Sequence, residues 1–172
     1  MDKLANNIFD LLKTKDRANE FLDFFSSVKS STHFVAGVDM QKIIQDTFGD
    51  NAPEWVDIVI SILPGLKSGK IENSDIEILT LVEELVKKSS EVRVELSFQP
   101  SEDFIDGVLG VLKRNYDGGV GQGVRNFLVK VEVTEGLEPG ASVFIDGQFV
   151  DLTFRNQVIN YLKSEDVVNR YI

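Results

Sequence analysis

The sequence predicts an α+β protein: an N-terminal bundle of about six short helices followed by a small α/β domain. Apolar residues recur at helical spacing through the first half of the chain. Apolar and polar residues then alternate strictly over residues 91–98, as in a strand with one solvent-exposed face. Further along, apolar residues flank an Asp146-Gly147 pair, which is typical of a tight hairpin turn. We therefore expect a helical bundle domain over residues 1–89 and a small α+β domain over residues 90–172.

Caps and breakers divide the helical half. Asp39 is placed to cap one helix, and Pro53 suits the first turn of the next, which we expect Pro64-Gly65 to stop. The stretch 74–77, Ser-Asp-Ile-Glu, has the form of a capping box and predicts the start of the last bundle helix.

The second half of the chain is predicted to form, in order, a strand, a helix, a second strand, a hairpin and a final helix. A helix is predicted from Pro100-Ser101 through Leu112, and a second strand over residues 127–134, where apolar and polar residues alternate. The four glycines in residues 117–123 predict a flexible loop, and the final helix is expected over residues 154–163.

Composition argues against several classes of protein. Lys and Arg number 18 against 28 Asp and Glu, a net charge of −10, so the chain lacks the cationic surface that nucleic acid or anionic lipid requires. It has no cysteine and one histidine, which excludes disulfides and thiolate chemistry and argues against histidine-based metal sites and triads. We expect no catalytic residue, no cofactor and no metal.

The local motifs that suggest chemistry are weak. The glycine-rich loop lacks the spacing of a dinucleotide fingerprint and leads into a strand, whereas anion-binding loops lead into a helix. His33 has no neighbouring ligand or base, and the adjacent acidic pairs, such as Glu83-Glu84, point in different directions on a helix. Each is interpreted as an ordinary surface or loop feature.

No membrane or export segment is predicted. The first residues hold no basic region leading into an apolar stretch, so we expect no secretory signal. The most apolar window, residues 55–63, is interrupted by Asp57 and is too short to span a bilayer.

The C-terminal half carries the one family resemblance. The valine-rich run 131–133, the Pro139-Gly140 turn, the segment 143–151, and Thr153 with Arg155 resemble the C-terminal signature of the ATP synthase delta subunit. The mitochondrial relative of that subunit is the oligomycin-sensitivity-conferring protein. The order and length of the remaining elements are similar as well, including an N-terminal helix with Leu4-Ala5 and Ile8-Phe9.

The resemblance implies a non-catalytic peripheral-stalk, or stator, subunit. It implies that the helical domain receives the N-terminal helix of an alpha subunit, and that the C-terminal domain meets the b-type stalk subunit. The protein would then lie peripherally at the cytoplasmic face of the plasma membrane, attached through partners, with the inner face of an organelle as the other location.

The resemblance also places the partner contacts. The family groove lies between the first and fifth helices, here residues 3–13 and 53–63. The predicted contacts with the alpha-subunit helix are Ala5, Ile8, Phe9, Leu12, Trp55, Val56 and Val59. The predicted contacts with the b-type stalk are Val158, Tyr161, Leu162, Val167 and Val168.

Two alternatives remain open at the level of sequence. Trp55 lies near a helix start, where a large aromatic residue either anchors a partner helix or packs in the core. A metabolite-sensing regulator or adaptor is the alternative to the stator function, and it predicts thermal stabilisation by a small molecule.

Overall fold

The computed structural model describes residues 2–31, 39–116, 126–135, 140–145 and 147–151. Within them the chain has seven helices and a four-stranded mixed sheet, and the predicted α+β class is confirmed. The chain divides into two compact units, Met1–Ser89 and Ser90–Ile172. His33, the glycine-rich loop 117–123 and the predicted last helix lie outside the described residues.

The described part of the first unit is entirely helical. The apolar residues of each longer helix recur at intervals of three and four, so each helix buries one face against its neighbours. α1 packs mainly on α6 and also contacts α2 and α4. The helices are α1 (Asp2–Leu12), α2 (Lys15–Ser31), α3 (Met40–Phe48), α4 (Glu54–Ile62), α5 (Pro64–Ser68) and α6 (Asn73–Lys88).

Pro64 has two roles at the end of α4. It ends that helix as the sequence predicted, since the preceding residue Leu63 is extended with φ −102° and ψ 103°. It then occupies the first turn of the short helix α5, where its missing amide hydrogen costs nothing. Pro53 also differs from expectation because it precedes α4 as the cap residue.

The start of α6 corrects the predicted capping box. The box lies two residues earlier than 74–77: Glu72 is the cap residue, and its backbone N–H donates to Oδ2 of Asp75 at 2.9 Å. Asp75 is only 3% exposed, whereas Ser74 lies inside the helix with an exposed side chain. The buried carboxylate therefore fixes where the helix begins.

The second unit is a mixed sheet with one helix described. Its elements are β1 (Ser90–Leu96), α7 (Glu102–Tyr116), β2 (Phe127–Val133), β3 (Ala141–Ile145) and β4 (Gln148–Asp151). The strand order is β2-β1-β3-β4: β1 pairs in parallel with β2 and antiparallel with β3, and β3 pairs antiparallel with β4. β1 ends at Leu96, two residues before the predicted end.

The hairpin forms as the Asp146-Gly147 pair predicts. Ile145 and Gln148 are opposite each other, so the loop between β3 and β4 has two residues. Gly147 has φ +76°, the positive value that such a turn requires.

The two faces of the sheet differ in character. One face packs against α7 and forms a compact apolar core, because the alternating residues of β1 and β2 turn inward there. The opposite face carries charged and aromatic side chains, described below. The core residues are Val92, Val94, Leu96, Ile105, Leu112, Phe127, Val129 and Ile145.

Gly110→Ala is expected to stabilise the second unit by about 0.5–1 kcal/mol. Gly110 lies within α7, and a Cβ added there would meet no heavy atom within 4 Å. Gly147→Ala is the matched control and should lower the stability of the unit, because a residue with a side chain is strained at the positive φ of this position. Urea unfolding followed by circular dichroism checks both variants, and a lower midpoint for Gly110→Ala would contradict the prediction.

Candidate partner-binding surfaces

The residues predicted on α1 face the inside of the bundle. Ala5, Ile8, Phe9 and Leu12 follow one another at helical spacing, and each exposes at most 5% of its surface. Their neighbour Leu4 is half-buried at the edge of this face.

The residues predicted on α4 are equally buried. Trp55 is 4% exposed, and Val56 and Val59 are completely covered. Of the two roles open for Trp55, this structure places it in the core.

Trp55 is the centre of an aromatic cluster formed with Phe21, Phe24 and Phe48. The ring centroids of these three residues lie 6.1, 6.0 and 5.8 Å from that of Trp55, and the rings of Phe24 and Phe48 are nearly perpendicular to the indole. This edge-to-face arrangement is favourable for aromatic quadrupoles. The indole Nε1–H is buried and has no hydrogen-bond partner.

All seven residues predicted to contact the partner helix are therefore buried in the core of the bundle. A partner helix could reach them only if the bundle opened, because their surfaces are already covered by other helices of the same unit. The half-exposed apolar residues on the outside are therefore better placed to contact a partner.

The outer side of α6 offers such residues. Ile76, Glu77, Thr80 and Leu81 line an open, mainly apolar concavity of about 360 Å³. Ile76 and Leu81 are only half-buried, in contrast to Ile78 and Leu79 on the inner side. The sequence carried a signal for this surface, since Ile76 and Leu81 fall outside the apolar stripe that the helix needs for its core.

The face of the sheet opposite α7 has a stacked row of side chains. The guanidinium carbon of Arg93 lies 4.1 Å from the ring centroid of Phe144, and the Phe144 and Phe149 centroids are 4.8 Å apart. Phe149 is 56% exposed. Arg93 also lies 3.6 Å from the carboxylate of Glu95, although its Nε has no hydrogen-bond partner.

A neighbouring ion pair on the same face involves Lys130 and Glu132. The Lys130 ammonium donates to the Glu132 carboxylate at 2.7 Å. That hydrogen bond raises the pKa of Lys130 and lowers the pKa of Glu132, so both remain charged at neutral pH. All five predicted stalk contacts lie outside the described residues.

The described ranges contain neither a candidate metal-binding cluster nor a helix suited to span a membrane. No group of three or more His, Asp or Glu side chains is arranged there to hold a metal ion. None of the helices in those ranges has the length and apolar character needed to cross a bilayer.

No protein-family model matches the chain, and no curated protein matches it.

Proposed function

We propose that this chain is a non-catalytic peripheral-stalk subunit of an F-type ATP synthase. In this role it would link the catalytic head to the b-type stalk and resist the torque produced during proton-driven ATP synthesis. Its partners would be the N-terminal helix of an alpha subunit and the b-type stalk subunit, and its association with the membrane would be through those partners.

The observation that carries the proposal is the structure formed by the signature residues. The resemblance implies a valine-rich strand, a glycine turn and a short hairpin. Residues 127–133 form β2, Gly140 adopts φ +139°, and β3 and β4 pair as a hairpin over residues 141–151. The helical unit preceding this domain has the order that the resemblance implies.

The surfaces on the two units suit a two-ended connector. The first unit presents the apolar concavity on α6, rimmed by the exposed Glu77, which fits one face of an amphipathic helix. The second unit presents its own exposed aromatic residues. Because the seven residues first predicted for the alpha-subunit contact are buried, we propose the α6 concavity in their place.

Binding of a synthetic peptide of the alpha-subunit N-terminus, from the same organism, tests this function. The full chain is expected to bind it with a nanomolar Kd in isothermal titration calorimetry. Leu81→Ser should weaken this binding by about tenfold or more, as expected for an apolar anchor, whereas Ile58→Ser on α4 is the matched exposed control. A folded chain that binds neither this peptide nor the isolated catalytic head would refute the stator function.

A further inference from the structure

The concavity on α6 contains a carboxylate that differs from the other acidic groups of the helix. Asp75 accepts a hydrogen bond from a backbone N–H at the start of the helix. Glu83 and Glu84 each pair with the lysine four residues further on, at 2.5 and 2.9 Å. Glu77 is exposed, and within the described residues its side chain has no hydrogen bond or ion pair. The charge of Glu77 is therefore not neutralised by the helix that carries it.

The surroundings of Glu77 on α6 are neutral. The residues three and four positions away on either side are Asn, Ser, Thr and Leu, none of which is basic. The hydroxyl of Thr80 donates to the backbone carbonyl of Ile76 at 2.7 Å, so this donor is already used within the helix. Among the four residues that line the concavity, Glu77 is the one that carries a charge.

Covering the concavity would make this charge decisive for the choice of partner. A helix seated on Ile76 and Leu81 would displace water from one side of the Glu77 carboxylate. A Lys or Arg placed against that carboxylate would replace the lost water with a charge-assisted hydrogen bond. An Asp or Glu at the same place would add repulsion to the cost of desolvation, and such a partner would be rejected.

The position of Glu77 also fixes where the cation is needed. Glu77 precedes Leu81 by four residues, which is about one helical turn, or roughly 6 Å along the axis. The basic residue of the partner must therefore lie about one turn from the apolar side chain that contacts Leu81.

We propose that Glu77 is the specificity-determining residue of the α6 concavity, and that it accepts a hydrogen bond from a Lys or Arg on the docked helix. This inference rests on the proposed function, in which the docked helix is the N-terminal helix of an alpha subunit. It adds a requirement that the apolar concavity alone does not impose: the helix must carry a basic residue about one turn from its apolar anchor.

A charge exchange between the two partners tests this assignment. The full chain is titrated by calorimetry with a synthetic peptide of the alpha-subunit N-terminus from the same organism, and with peptides in which each Lys or Arg is replaced in turn by Glu. Glu77→Lys should raise the Kd of the natural peptide about tenfold or more, because two cations then face each other. The same variant should bind one of the Glu-containing peptides more tightly than the wild type does.

Two further variants separate a local contact from the effect of net charge. Glu54→Lys is the matched control, because Glu54 is also exposed but lies on α4, outside the lining of the concavity. At physiological salt it should change the Kd less than about twofold, since distant surface charges are screened. Glu77→Gln keeps the shape of the side chain and should weaken the salt dependence of binding. Circular dichroism establishes that each variant is folded.

The outcomes distinguish this assignment from the stator function. If the wild-type chain binds the natural peptide and Glu77→Lys binds it equally well, the assignment is wrong and the function stands. Failure of every Glu-containing peptide to bind Glu77→Lys more tightly than the wild type would overturn the assignment in the same way. If the wild-type chain binds neither the peptide nor the isolated catalytic head, the stator function and this assignment both fall.

Discussion

Trp55→Ala is expected to lower the free energy of unfolding of the helical unit by about 3–5 kcal/mol. The indole is 4% exposed and contacts three phenylalanine rings, two of which are almost completely buried. Truncation would leave a large cavity that the surrounding helices cannot close without moving. It would also remove three favourable aromatic pairs, each contributing about 0.5–1.5 kcal/mol.

Trp55→Phe should cost much less, about 1–2 kcal/mol. The phenyl ring keeps most of the aromatic contacts, and it removes a buried N–H that has no hydrogen-bond partner. Burying an unpartnered donor costs about 1–3 kcal/mol, so its removal offsets part of the lost volume.

Urea unfolding followed by helical circular dichroism measures these changes without relying on the fluorescence of the residue being replaced. Ile58→Ala on the same helix is the control, because Ile58 is 41% exposed and should change stability by about 0.5 kcal/mol or less. A loss below about 1 kcal/mol for Trp55→Ala would mean that the residue is not a core member in solution.

Gly65→Ala is expected to destabilise the same unit by about 2–4 kcal/mol. Gly65 is buried in α5, and a Cβ there would overlap the carboxylate of Asp75 and lie 2.8 Å from the carbonyl oxygen of Lys70. To relieve the overlap, Asp75 must leave its position, and its hydrogen bond to the N–H of Glu72 is then lost.

A double-mutant cycle isolates this cause. Asp75→Ser shortens the side chain and keeps an oxygen that can accept from Glu72, so Gly65→Ala should cost less in that background than in the wild type. Part of the cost should persist, because the approach to the Lys70 carbonyl is unchanged. Chemical denaturation of the four proteins gives the coupling energy, and strict additivity would exclude the contact with Asp75 as the cause.

The periodic signals of the sequence predicted the fold well for physical reasons. Helical and strand periods reflect which side chains must be buried, so they identified the α+β class, the alternation in β1 and the turn at Gly147. The ends of the helices and strands were harder to predict from the sequence. The α6 cap is set by Asp75, whose buried carboxylate lies where a Cβ on residue 65 would be, and no local pattern in the sequence encodes that close approach to Gly65.

The candidate surfaces were less predictable than the core. The spacing of apolar residues predicts that the side chains of Trp55 and Ile8 are both buried. It does not distinguish burial by other parts of the chain from burial by a partner protein. The structure assigns both to the interior. Ile76 and Leu81 already fall outside the apolar stripe of α6 in the sequence, whereas Phe98 is identified as a surface residue only when the end of β1 is known.

The position of β1 has a consequence for biosynthesis. It is the first strand of its unit to leave the ribosome, yet it lies between β2 and β3. One edge of β1 therefore stays unpaired until β2 has been translated, and the other edge stays unpaired until β3 has been translated. Closing the connection between β1 and β2 through α7 also carries an entropic cost. We expect this sheet to assemble late during translation, with its nascent apolar strand dependent on chaperones until then.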